Sequence, residues 1–312
     1  MTTFIKVIEI WTPTPDRRGL ALADALYGPG DYDELKGVTE QRVFAYDEGL
    51  PGKAWASATP HIITDLEHSF FRRKEAVVHA GINTGIAIPI FAGEFINAVV
   101  VFLCDVKENV TSAIELWGKQ NNTSKELSLI EGFYGPMKKL EEASHNITFA
   151  RGTGLPGSVW DYQIPMIIPD MSDTDLFQRA SAASLEGITS AIGLPFTYYT
   201  GKEYVLTFLS AHSTPIAHRF EIWISDREYD YLFFHAGICD HGEDLQSLHQ
   251  YQFIKRGTDL LGKVWLTGIP AISRNLVNDG LIHKDSTSGL TSGLVMPIIE
   301  EGYLKSVVVF MF

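Results

Sequence analysis

The sequence predicts an α+β protein made of three copies of one unit, each a central antiparallel sheet with short helices and loops on one face. Two observations predict this fold class: a glycine-rich motif that recurs at a fixed spacing, and a pair of apolar strands that closes each copy. Gly52, Gly157 and Gly262 hold the same place in the motif and are 105 residues apart. A period of this length is that of a whole domain rather than of a short solenoid repeat.

The same landmarks follow one another in every copy. The motif reads Gly-Leu-Pro-Gly-Lys-Ala-Trp55, then Gly-Leu-Pro-Gly-Ser-Val-Trp160, then Asp-Leu-Leu-Gly-Lys-Val-Trp265. Five residues after each tryptophan stands a proline, and upstream a Glu-x-Trp segment recurs every 106 residues, ending at Trp11, Trp117 and Trp223. We therefore predict three units, 1–106, 107–212 and 213–312, of which the third is the most diverged.

Within a unit, local signals place the elements. Gly-Leu-Pro-Gly is typical of a tight turn, and Pro60 ends the short helix that we expect over 53–58. Residues 65–81 are expected to form a loop with a helix. The apolar segments 86–91 and 96–103 flank Ala92-Gly93-Glu94, so they predict a hairpin at the centre of the sheet.

Composition excludes several classes of function. The net charge of −13 argues against a nucleic-acid partner, because such proteins carry a basic stripe. Two cysteines are too few for a disulfide framework or a four-thiolate zinc site. The N-terminal segment lacks the features of a signal peptide, and the most apolar stretch, 85–104, contains a turn. We expect a cytoplasmic protein with no membrane partner.

The repeated pattern resembles the GAF domain, a family of small-molecule-sensing modules. The resemblance rests on the glycine motif with its tryptophan and proline, on Phe-x-Arg, and on the Gly-Ile-x-(Thr/Ser) segment that precedes the closing hairpin. It covers almost the whole chain and is best in the second unit. The third unit departs from the pattern, since Leu261 replaces the motif proline and Asn275 replaces an aspartate.

The links between units are too short for the helices that usually flank a GAF domain. An apolar sheet face left bare in this way would be larger than monomers tolerate. We therefore expect the repeats to cover one another, by packing sheet on sheet in tandem or around a pseudo-threefold axis. The alternative is an exchange of first strands, in which 1–11 would pair with 306–312. Both arrangements predict that isolated repeats fold poorly.

The resemblance implies a ligand cavity between the sheet and the helical loop. The side chains that it places there are Trp55, Phe71, Arg73, Thr84, Trp160, Phe177, Arg179 and Thr189. Either arginine can pair with a carboxylate or phosphate of a ligand, and Lys284 matches them in repeat 3. The alternative is structural: the tryptophans anchor a helix to the core, the arginines end a solvated helix, and the threonines bond to the backbone.

Other chemistry has little support in the sequence. Cys239-Asp240-His241 has no match at the same spacing in the other units, and Asp170, Asp173 and Asp175 lack the glycine and glutamate of a calcium loop; we interpret both as loops. The residues that GAF relatives use for bilin attachment, cyclic-nucleotide binding or methionine-sulfoxide reduction are missing. We expect no metal, no cofactor and no catalytic residue.

The leading hypothesis is a non-enzymatic regulatory protein that holds a small organic ligand and signals to a partner protein or a second copy of itself. Two alternatives stay open. One is a structural or interaction module whose pockets are filled by side chains, and the other is an unrecognised enzyme.

Overall fold

Each repeat folds into one six-stranded antiparallel sheet, with three short helices on one face in repeats 1 and 2 and, among the described residues, two in repeat 3. The computed structural model describes residues 3–104, 111–121, 123–171, 176–226, 228–284, 286, 288–300 and 302–312. In all three sheets the first and last strands of the repeat lie side by side at the centre, and the two short strands form the edges.

The elements follow the same order in every repeat. Repeat 1 contains β1 (Ile5–Pro13), β2 (Gly19–Tyr27), α1 (Asp33–Glu40), β3 (Val43–Ala45), α2 (Gly49–Ser57), β4 (His61–Ile63), α3 (Lys74–His79), β5 (Thr84–Ala92) and β6 (Phe95–Cys104). Repeat 2 contains β7 (Ser112–Gly118), β8 (Glu126–Phe133), α4 (Lys138–His145), β9 (Thr148–Ala150), α5 (Gly154–Tyr162), β10 (Met166–Ile168), α6 (Ala180–Leu185), β11 (Ser190–Thr197) and β12 (Glu203–Ser210). Repeat 3 contains β13 (Arg219–Ser225), β14 (Tyr231–Cys239), α7 (Leu245–His249), β15 (Phe253–Lys255), α8 (Asp259–Thr267), β16 (Ala271–Ser273), β17 (Gly293–Glu300) and β18 (Tyr303–Met311).

The predicted central hairpin is confirmed, whereas the exchange of first strands is wrong. Strand β1 pairs with β6 of its own repeat, as Ile8 opposite Phe102 shows. In the same way, β13 pairs with β18. Because each first strand is already bonded on both sides within its own sheet, it has no free edge to offer to a neighbouring repeat. The predicted boundary at 106/107 lies outside the described residues.

The second glycine of the motif marks a close approach of the helix to an edge strand. A Cβ atom on Gly52, Gly157 or Gly262 would lie 2.2, 2.1 or 2.3 Å from the carbonyl oxygen of Ala45, Ala150 or Lys255. No side chain fits at such a distance, which explains why this glycine is present in all three copies. The helix itself begins earlier than we predicted, at Gly49, and Pro51 is accommodated in its first turn.

The three sheets turn their helix-free faces toward a shared core. Phe102, Phe208 and Phe310, at equivalent places in the last strand of each repeat, form a triangle with ring centroids 6.2, 5.7 and 6.0 Å apart. All three side chains are fully buried. The repeats therefore pack around a pseudo-threefold axis and cover one another, as the short links predict.

Contacts at the sheet edges close the three repeats into a ring. The edge strands β4, β10 and β16 face the second strand of the next repeat, which is β8, β14 and β2 respectively. At one junction the backbone N–H of Ile62 donates to Glu131 Oε2 at 2.9 Å. At another, Arg274 donates to both carboxylate oxygens of Asp24, at 2.5 and 3.1 Å. Each repeat thus contacts both of the others.

No helix among the described residues combines the length and apolar character needed to cross a membrane.

Replacing Phe208 by Ala removes one of the three rings at the axis, and we expect it to lower the free energy of unfolding by about 3–5 kcal/mol. The matched control is Phe95→Ala, because that ring is 64% exposed and its loss should change stability by only about 0.5 kcal/mol. Urea denaturation followed by circular dichroism measures both values. Equal losses in the two variants would contradict a shared core at the axis.

Candidate functional site

A buried carboxylate lies at the centre of the helix-covered face of every sheet. Glu9, Glu115 and Glu221 come from the Glu-x-Trp segments, and none is exposed. Residues two apart on a strand point to the same face, so each glutamate accepts a hydrogen bond from the indole N–H of its own tryptophan, at 2.9, 3.1 and 2.8 Å. In the sequence these glutamates mark the spacing of the repeats and carry no sign of their role in the fold.

In repeats 1 and 2 the predicted ligand-anchoring arginines bind this carboxylate. Both terminal nitrogens of Arg73 donate to Glu9, with Nη2 at 2.9 Å from Oε2. Arg179 binds Glu115 in the same bidentate way, also at 2.9 Å from Oε2. Each arginine is only 5% exposed. We call these two buried pairs, and their counterpart in repeat 3, the clasps.

Hydroxyl groups from the first helix complete the clasps of repeats 1 and 2. Arg73 Nη1 donates to Thr39 Oγ1 at 2.5 Å, and Arg179 makes the equivalent bond to Ser144. In repeat 2 the hydroxyls of Tyr134 and Thr207 also donate to Glu115, at 3.0 and 2.9 Å. The carboxylate is therefore surrounded by donors.

Aromatic rings fill the space around each guanidinium group. In repeat 1 the Cζ atom of Arg73 lies 4.9, 5.6 and 5.9 Å from the ring centroids of Phe71, Trp11 and Phe44. In repeat 2 the corresponding distances from Arg179 are 4.9, 5.0 and 5.8 Å, to Phe177, Trp117 and Phe149. Each of these two predicted ligand-anchoring arginines is thus enclosed by aromatic rings as well as by its carboxylate and hydroxyl partners.

Repeat 3 builds its clasp from different residues. Arg219 Nε donates to Glu221 Oε1 at 2.6 Å, and His249 Nε2 lies 3.0 Å from the same oxygen. Arg219 stands on β13 at the place of Val7 and Ala113. Lys284, the predicted match to the loop arginines, is exposed. The strand, rather than the loop, therefore supplies the buried cation in repeat 3, whereas the carboxylate occupies the same position in all three repeats.

In repeats 2 and 3 the clasps lower the pKa of the buried carboxylate. Burial alone would raise the pKa of Glu115, but the guanidinium of Arg179, with the hydroxyls of Thr207 and Ser144, outweighs it and holds the pKa below its ordinary value of 4.5. The pKa of Glu221 is lowered in the same way, against burial, by His249 and Arg219. Because a lowered carboxyl pKa stabilises the fold above the unfolded-state value, this contribution is present above pH 4.5 and is lost as the pH falls.

The remaining predicted site residues make contacts away from the clasps. The ring of Trp55 packs edge-on against Tyr46, with centroids 5.1 Å apart, and Arg151 lies 4.1 Å above the ring of Trp160. Thr84 donates to the Asn83 side chain and Thr189 to the Ser210 carbonyl, each at 3.2 Å. Asp173 and Asp175 lie outside the described residues.

Open cavities occur at the junctions between repeats. The 1–3 junction cavity, of about 380 Å³, has apolar walls from Ile8, Leu26 and Phe312 and polar groups from Lys6, His218 and Thr291. A second cavity, of about 250 Å³, lies between repeats 2 and 3 and is lined by Ile192 of repeat 2 and Ile238 of repeat 3. At that junction Ala236 stands where repeats 1 and 2 carry Asp24 and Glu131, the acidic residues that bind neighbouring repeats.

Arg179→Ala leaves the Glu115 carboxylate buried and unpaired, and we expect it to lower the free energy of unfolding by about 3–5 kcal/mol. The double variant Arg179→Met with Glu115→Gln should recover most of this loss, because no charge then remains buried. Arg151→Ala is the control, since it removes an exposed ion pair with Glu203, 2.8 Å long, worth about 1 kcal/mol or less. Urea titration checks all three. An Arg179→Ala variant no less stable than Arg151→Ala would show that the clasp contributes little.

No protein-family model matches the chain, and no curated protein matches it. Similar solved structures match about one repeat's length. They include the A. aeolicus Nlh2 GAF domain in an inactive state, at 20% identity and TM-score 0.26 over 33% of this chain and 59% of that one. A free methionine-R-sulfoxide reductase from Neisseria meningitidis in complex with its substrate matches at 14% identity and TM-score 0.25, over 32% of this chain and 52% of that one.

A third similar structure is the GAF domain from a phosphoenolpyruvate-protein phosphotransferase of Coxiella burnetii, at 12% identity and TM-score 0.27, over 32% of this chain and 56% of that one. This chain therefore spans between one half and three fifths of the length of these three structures. The fold assignment itself rests on the strand order and the glycine motif, both of which recur three times. The chain consists of three tandem units of one α+β fold, and GAF domains are among the structures to which it is similar over about one unit.

Proposed function

We propose that the protein is a regulatory sensor in which a small organic molecule binds at the junction of repeats 1 and 3 and changes how the repeats pack. A partner protein would read that change. The observation that carries the proposal is the contrast between the two kinds of space. The predicted ligand-anchoring arginines of repeats 1 and 2 are buried and paired in clasps, while the 1–3 junction cavity of about 380 Å³ is open.

A ligand inside repeat 1 or 2 would have to displace a clasp. To anchor an anion, Arg73 or Arg179 would have to leave its glutamate, and breaking a buried pair costs about 3–5 kcal/mol. The hypothesis that these arginines, with Phe71 and Phe177, hold a ligand stays a prediction. Their geometry favours a structural role.

The chemistry of the 1–3 junction cavity favours an amphipathic ligand. Its volume is near the lower end of the range for small-molecule sites, so it suits a compound of metabolite size. Ile8, Leu26 and Phe312 offer an apolar wall, and Lys6 and His218 are cationic or hydrogen-bonding groups at the other side. We therefore infer a ligand with an apolar body and an acidic or otherwise polar end.

The position of the cavity explains how binding would act on the whole protein. Its walls come from β1 and β2 in repeat 1 and from the start of β13 and the end of the chain in repeat 3. A ligand that touches two repeats binds more tightly to one arrangement of them than to another. It therefore shifts the population toward that arrangement.

The second candidate function is an interaction module without a small-molecule ligand. The filled interiors of the repeats favour it, because a module that only presents surfaces needs no cavity inside a domain. This candidate differs from the first in a single expectation, namely that no small molecule binds at the 1–3 junction.

A thermal-shift screen with small organic acids, amino acids and nucleosides tests the proposal. A ligand at one hundred times its Kd should stabilise the chain by about 2.7 kcal/mol. Thr291→Trp, which fills the 1–3 junction cavity, should abolish the shift. Thr123→Trp is the control, an equally exposed threonine in a loop of repeat 2, and it should leave the shift unchanged.

The other outcomes decide between the hypotheses. A shift that survives Thr291→Trp but is lost in Arg179→Lys would place the ligand inside repeat 2, as the resemblance implies. The absence of any shift in the unmodified chain would favour the interaction module.

A further inference from the structure

Repeat 3 carries three metal-ligating side chains at a position where the other repeats carry none. In repeats 1 and 2 the sequence Tyr-Gly-Pro stands where the second strand ends and the following loop begins, at 27–29 and 134–136. The pairing of Val7 with Tyr27, and of Arg219 with Cys239, places Cys239-Asp240-His241 at the same point of repeat 3. Cys239, rather than Ala236 of the Ala236-Gly237 pair, is thus the counterpart of Tyr27.

The fold brings these side chains together with a fourth. One ligand atom from each of Cys239, Asp240 and His241 lies within 4.8 Å of the others. His218, at the start of β13, places Nδ1 at 2.6 Å from Asp240 Oδ2, and its ring centroid is 5.8 Å from that of His241. The backbone N–H of Asp240 donates to the carbonyl of His218 at 3.0 Å, which ties the two segments together.

We propose that His218, Cys239, Asp240 and His241 bind one divalent transition-metal ion, with Zn²⁺ as the best fit. Two imidazoles, a thiolate and a carboxylate are the ligand types that zinc takes in tetrahedral sites. At a Zn–N distance of about 2.1 Å, two imidazoles on one ion have ring centroids about 5 Å apart. The observed separation therefore requires only a small rotation of the two rings.

The hydrogen bonding of Asp240 also favours a bound cation. Its Oδ1 atom is buried and accepts no well-aligned hydrogen bond, although His241 Nδ1 lies 2.7 Å away. A buried carboxylate oxygen without an aligned donor is costly, and a cation supplies the missing interaction. His218, Asp240 and His241 line a cavity of about 510 Å³, and Cys239 lines the adjoining cavity of about 250 Å³.

The ion would stabilise the junction between repeats 2 and 3. His212 and His218 belong to the link that leaves repeat 2, and Cys239 lines the cavity between repeats 2 and 3. This is the junction where Ala236 replaces the acidic residue of the other repeats. A metal held there joins the link to the loop after β14, so its binding would stabilise the packing of repeats 2 and 3. This proposal does not depend on the proposed function.

Titration of the chelator-treated full chain with ZnCl₂, followed by calorimetry, tests the site. We expect one ion per chain and a higher Tm with zinc. His218→Ala, Cys239→Ser and His241→Ala should each weaken binding by about tenfold or more. His235→Ala is the matched control, because His235 is exposed on the same strand and lines none of the cavities described above. It should leave the affinity unchanged.

Cobalt provides a spectroscopic readout in the unmodified chain, where its presence does not depend on how any variant folds. Co²⁺ bound to the unmodified chain should show a thiolate-to-cobalt absorption band that is lost in Cys239→Ser. The absence of this band, or of saturable zinc binding, would overturn the proposal. Binding that survives the loss of His218, or that falls as much in His235→Ala as in His241→Ala, would overturn it as well.

Discussion

The structure depends on one constraint: each sheet has an apolar face that carries no helices and must still be kept from water. The links between repeats are too short to supply a covering layer, so the other two sheets provide it. Phe102, Phe208 and Phe310 meet at the centre of this shared core. The ring of repeats, its three junctions and the cavities at those junctions all follow from this arrangement.

The opposite face of each sheet meets a different requirement, the neutralisation of a buried carboxylate. All three repeats keep the glutamate of the Glu-x-Trp segment, but the cation comes from the loop in repeats 1 and 2 and from the strand in repeat 3. Two different arrangements of basic side chains thus neutralise the same buried glutamate within one chain. In each repeat the clasp holds a helix or loop on the sheet.

Much of the fold is predictable because it is periodic. The repeat, the central hairpin and the mutual covering of the sheets follow from spacing and from apolar strands such as β6. The clasps were not predictable, since Glu9 and Arg73 are 64 residues apart and only the fold shows that they meet. The role of Arg219 was not predictable, because the equivalent positions in the other repeats are occupied by the apolar residues Val7 and Ala113. Cys239 has no match at its spacing in the other units, and only the strand pairing shows that it takes the place of Tyr27.

The claim that the three repeats share one core is tested most directly by differential scanning calorimetry of the full chain. If the repeats depend on one another, they unfold together, and we expect a single transition whose calorimetric enthalpy equals its van't Hoff enthalpy. Such behaviour is uncommon for chains longer than about 150 residues, which makes it informative here. Two or three separate transitions, or a calorimetric enthalpy well above the van't Hoff value, would show that the repeats are independent domains.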